Sequence, residues 1–110
     1  MNEQILTQKV IDKFPGLNLP FMETGGGEFY SVMFSFQEIL SIDENKIIFK
    51  GRNTISGNTT KDGAIEYDFA TQKFYRGSIS RNNQFSKITQ IEMDPDGMPM
   101  FSDLLKLISK

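Results

Sequence analysis

Hydrophobic positions change their spacing along this chain, and each change marks an expected element. Leu6, Val10 and Phe14 recur every four residues behind Asn2 and Glu3, with Ile5 on the flank and Gln4, Gln8, Lys9 and Asp12 polar. This spacing predicts an amphipathic helix that Pro15-Gly16 stops. The following stretch, LNLPFMETGGG, reads as a connector because it holds a second proline and a run of glycines. From Glu28 the period falls to two, with Tyr30, Val32, Phe34 and Phe36 on one face, which predicts a strand. Gln37 to Ile42 and Lys46 to Lys50 are shorter β-branched runs parted by Asp43-Glu44-Asn45, so they are expected to pair antiparallel.

Asn53 to Ser56 suggests a further short strand before a polar turn from Gly57 to Gly63, after which Ile65, Tyr67 and Phe69 alternate with Glu66 and Asp68. Lys73 to Ser80 fits a strand whose inward residues are either Phe74 and Arg76 or Tyr75 and Ile79. Phe85 to Met93 fits both periods, and its Ile88, Thr89 and Ile91 favour a strand over a helix. Asp94-Pro95-Asp96-Gly97 is a turn, and Ser102 is expected to cap a last helix carrying Leu104, Leu105 and Ile108. The expected fold is α+β: an N-terminal helix, an antiparallel β-meander of about five to six strands and a short C-terminal helix, in a single domain over residues 1–110.

Composition narrows what such a domain does. With 110 residues and 10 Phe among them, the chain can fill one core without disulfides or metal. His and Cys are both absent, which excludes Ser-His-Asp and Cys-His catalysis, thiolate metal sites and disulfides. Catalysis by paired carboxylates stays chemically open, but Glu23, Glu28, Glu66 and Asp68 sit in no recognisable catalytic spacing. No catalytic residue, cofactor or metal is therefore expected. No secretory leader and no apolar run of bilayer length is read from the sequence, so a cytoplasmic location is expected.

Twelve basic and fourteen acidic residues leave a net charge of −2, with the acidic excess in the first half of the chain. That balance argues against neutralising phosphates and for a basic protein partner. Glu92, Asp94, Asp96, Gly97 and Asp103 have the spacing of a calcium loop, but Glu stands first, Asp last, and Pro99 interrupts the second half. An acidic turn feeding a helix explains them more simply. Gly25-Gly26-Gly27 leads into a strand rather than a helix, unlike a phosphate loop. Lys73, Phe74, Tyr75, Arg76, Arg81 and Lys87 interleave charge and rings as single-stranded nucleic-acid platforms do, although the net acidity argues against nucleic acid as the partner.

Short acidic chains with an N-terminal helix, an antiparallel sheet and no catalytic residues resemble the immunity proteins of bacterial toxin systems, including those of contact-dependent growth inhibition. The resemblance covers size and element order. It implies a cytoplasmic protein that binds a cognate toxin, often a basic nuclease, and blocks its active site or substrate groove. Acidic side chains would steer such a partner and aromatic anchors would supply the desolvated centre. The contact surface expected on that logic is Glu23, Glu28, Asp43, Glu44, Glu66 and Asp68, with Tyr67 or Tyr75 as anchor. The chain itself is expected to be a monomer or weak dimer. Two other readings are a nucleic-acid or small-ligand module built on Lys73 to Lys87, and a subunit that self-associates through a sheet edge.

Overall fold

The computed structural model describes residues 2–25, 28–55 and 59–109. Its elements run α1 (Glu3–Lys13), β1 (Asn18–Gly25), β2 (Glu28–Ile42), β3 (Lys46–Ile55), β4 (Thr59–Asp68), β5 (Lys73–Ile79), β6 (Phe85–Met93), a single 3-10 turn (Pro95–Gly97) and α2 (Met98–Ser109). The fold is α+β, as expected. All neighbouring strands are antiparallel, and β6 returns to β1, so the meander closes into a six-stranded barrel. Closure was not legible in the sequence. Among the described residues it rests on a ladder of two residue pairs, Phe21 with Met93 and Met22 with Glu92.

α1 starts where the sequence places it, because the Asn2 side chain accepts hydrogen bonds from the amides of Gln4 (2.7 Å) and Ile5 (3.4 Å). The segment read as a connector is largely β1. Leu19 and Phe21 alternate into the core, and Pro20, which has no amide to give, still accepts at its carbonyl from the amide of Asp94 at 2.9 Å. The two runs expected on either side of Phe36 are one long strand, β2. Register shifts at Phe36/Glu38 and Ile39/Ser41 are bulges that move the buried phase from Phe34 and Phe36 to Ile39.

β3 likewise runs unbroken through Gly51, where a Cβ would collide with the Ser35 carbonyl and the Phe34 ring. The glycine there permits close strand packing and does not end the strand. Thr59 to Gly63, expected in a turn, extend β4 because they pair with Gly51 to Ile55. The remainder of that expected turn, residues 57–58, and two glycines of the Gly25-Gly26-Gly27 run lie outside the described residues. β5 turns Phe74 inward and β6 is a strand, resolving both ambiguities. α2 begins at Met98, one turn before the expected cap at Ser102. The Asp94 carboxylate caps the preceding 3-10 turn by accepting from the Asp96 amide at 2.9 Å, and Pro99 is tolerated in the first helical turn.

The earlier start of α2 brings Phe101 into the barrel. Its ring centroid lies 4.9 Å from Tyr67, 4.9 Å from Phe74 and 6.2 Å from Phe49, all with strongly inclined planes. Leu104 and Ile108 continue the buried stripe, and Leu6 and Val10 of α1 join it. One end of the barrel is therefore closed by helices and filled with side chains. Replacing Phe101 by Ala removes a ring that is 1% exposed, so the expected loss is about 3–5 kcal/mol, read as a lower midpoint in urea unfolding with unchanged slope.

Candidate functional site on the outer face and turns of the barrel

On the outside of the filled barrel, alternation sets three rows of side chains. Lys46, Asp68 and Lys73 form one row, Ile48, Glu66, Tyr75 and Gln90 the next, and Lys50, Ala64, Gly77 and Lys87 the third. A Cβ at Gly77 would collide with the Phe85 ring, so this glycine allows the end of β6 to fold close over β5. Glu66 points outward yet is only 4% exposed. Its two carboxylate oxygens face Lys46 at 3.8 Å and Lys87 at 3.2 Å. The Lys87 ammonium also lies 4.0 Å from the centre of the Tyr75 ring, a cation–π contact. Lys50 reaches Glu38 at 3.9 Å and Asn83 at 3.1 Å, tying β3 to β2 and to the β5–β6 turn.

Below this face, two acidic turns lie side by side. The Asp43 carboxylate accepts from the amides of Asn45 (2.7 Å) and Lys46 (2.9 Å), and Asp68 accepts from Ala70 (2.9 Å) and Thr71 (3.0 Å). The Phe69 amide donates to the Asn45 carbonyl at 3.0 Å and joins the two turns. The Asn45 amide, followed by that of Lys46, holds the Asp43 carboxyl below its ordinary range, and the Thr71 amide does the same for Asp68. Glu44 stands exposed at the tip of the first turn.

The structure separates the residues expected to form one contact surface. Asp43, Glu44 and Asp68 share one end of the barrel, and Glu66 and Tyr75 share the outer face above them. Tyr67 is in the core, 7% exposed; burial, then the neighbouring Asp68 charge, raises the pKa of its phenol. Glu23 faces the barrel interior near its other end, bound to Arg76 at 2.6 Å and 3.2 Å. Glu28 opens β2, and its side chain lies outside the described residues. Lys46, Lys87 and Lys50 complete the outer-face cluster and were not singled out together by sequence. Period-two alternation does place Lys46 and Lys50 on one face, but the β6 irregularity at Ile88 hides the phase of Lys87.

The stacking platform is also divided, because Phe74 and Arg76 face inward while Lys73 and Tyr75 face outward. A cleft of about 440 Å³ lies between α2 and β5–β6, with Lys73, Gln90, Met98 and Ser102 at its rim and Phe74 and Phe101 in its lining. The calcium-like spacing is split between a capped turn and a helix, since Asp103 is inside α2. Among the described residues, no group of three or more acidic side chains is placed to hold a metal ion. No helix among them is long and apolar enough to cross a membrane. No family model, curated protein or solved structure matches this chain.

Two outcomes follow from these charges. Glu66→Ala leaves Lys46 and Lys87 without their shared partner and opens a buried position, so a loss of about 1–3 kcal/mol is expected in urea unfolding, partly restored in Glu66→Gln. Asp43 and Asp68 have folded pKa values below their ordinary value of 3.8. Their stabilisation is present above that value and is lost as pH falls through the lowered folded ones. Thermal midpoints measured across the acid range should therefore fall less steeply in the Asp43→Asn/Asp68→Asn chain than in the parent.

Proposed function

We propose that this protein is a non-catalytic binding domain of the immunity type, which captures a basic toxin in the bacterial cytoplasm and covers its active site or substrate groove. One observation carries the reading: Asp43 and Asp68 are pinned by backbone amides in adjoining turns, with Glu44 beside them. Carboxylates that are already oriented lose little freedom when a cationic surface arrives, and they remain charged at any cytoplasmic pH. Tyr75, beside this end on the outer face, offers a ring on a strand paired on both sides, with Lys87 over one face of the ring. The filled barrel interior supports an external binding surface over an enclosed small-ligand site.

The variant Asp43→Asn/Glu44→Gln/Asp68→Asn keeps the turn acceptors while removing three charges. Capture from native lysate at low and moderate salt, followed by toxin or nuclease assays of the captured protein, tests the reading. The expected result is a basic protein bound stoichiometrically and silenced, with an association rate about tenfold lower for the variant at low salt. Recovery of nucleic acid alone, or an unchanged rate in the variant at all salt concentrations, overturns it.

A further inference from the structure

We propose that the seam between β1 and β6 is a docking slot in which an extended segment of the protein partner binds as an added strand. This rests on the partner-binding reading above and specifies how part of that contact is made. Among the described residues, the two strands are zipped only at Phe21–Met93 and Met22–Glu92, next to the helices. Beyond that point β1 continues through Glu23 to Gly25, paired with β2 alone, while β6 from Phe85 to Gln90 is paired with β5 alone. The register that would continue the ladder, Glu23 with Ile91 and onwards, is not formed. The barrel wall is consequently split toward its β1–β2 hairpin end. In an antiparallel strand alternate residues turn their amide and carbonyl to each side, so half the backbone groups in this part of β6 face the split, with no strand among the described residues to receive them.

Side chains around the split are arranged to hold it in shape. Arg76 of β5 passes beneath β6 to Glu23 of β1 with contacts of 2.6 Å and 3.2 Å. The pair ties β1 to β5 across the inside of the split, while the β1–β6 backbone ladder above it stays unformed. Ile88, skipped by the β5–β6 register, is 54% exposed at the edge. Such bulges end regular pairing and redirect a side chain. Glu92, at the closed end of the split, is exposed and in no ion pair among the described residues.

Backbone donors and acceptors in a row select an extended polypeptide as the occupant. A second copy of β6 fits poorly, because antiparallel self-pairing over Phe85 to Gln90 sets each Lys87 opposite Ile88 of the other copy and brings Glu92 opposite Asn83, with no cation to meet it. A segment of another protein is not bound to that pairing. Its complement is an apolar residue beside Ile88 and a basic residue reaching Glu92, about 13 Å further along the strand, which agrees with a basic partner.

Residue-resolved amide exchange tests the slot first in the free protein. Alternate amides from Ser86 to Gln90 should exchange on the order of 100-fold faster than those of β5 that bond to β4. In complex with the captured partner, the same amides should become protected. Ile88→Lys should weaken capture by about tenfold or more without moving the thermal midpoint, whereas Ile88→Val should retain it. Amides already protected in the free chain overturn the slot, and so does a complex in which they stay fast while the partner remains bound. In that second case the partner-binding reading stands. Wild-type protein that captures no partner overturns both.

Discussion

A barrel of six strands encloses a volume that its own side chains must fill, and here the filling comes partly from outside the sheet. Phe101, carried by α2, enters one end and meets Tyr67, Phe74 and Phe49 at ring separations of 4.9 to 6.2 Å. Without it the inner faces of β3, β4 and β5 would border a void or water, and each lining side chain would lose dispersion contacts. The position of α2 in turn depends on the capped turn at Asp94, whose amide is held by the Pro20 carbonyl of β1. Barrel closure, the turn and the aromatic plug thus support one another.

The same arrangement makes the two ends of the barrel different. The helical end is apolar, tightly packed and joined by the β1–β6 pairs, while the opposite end carries Glu23, Arg76 and the buried Asn53 inside. The Asn53 side-chain oxygen has no hydrogen-bond partner among the described residues, in keeping with an end where polar groups are less completely matched. Rigidity at one end and incomplete pairing at the other let a stable fold keep reactive backbone available. Edges of this kind are usually suppressed, and the bulge at Ile88 limits unselective pairing without removing the edge.

The acidic side chains fall into different environments. Glu66 is neutralised by Lys46 and Lys87 and works as an anchor for the sheet's outer face, so it adds little negative field outside. Asp43, Glu44 and Asp68 lie in turns with their carboxylates near solvent. A sequence count treats all four acids alike; their environments separate a structural carboxylate from those available to a partner.

The α1 boundaries, the paired runs around Asp43-Glu44-Asn45, the strand through Ile65 and Tyr67 and the terminal apolar helix were readable from spacing and caps alone, because each depends on residues close in the chain. The same local view misread Asn18 to Gly25 as a connector and placed the start of α2 one turn late. Pro20 and Pro99 look like breakers until a neighbouring strand and a preceding turn accommodate them. Individual acidic residues of the candidate surface were visible by type, but Tyr67 went to the core and Glu23 to Arg76. Local sequence therefore determined most elements and the α+β class. Tertiary structure alone decided closure, the inward face of β5, the pairing of Glu66 with two lysines and the split seam, since each requires strands far apart in sequence to meet in one register.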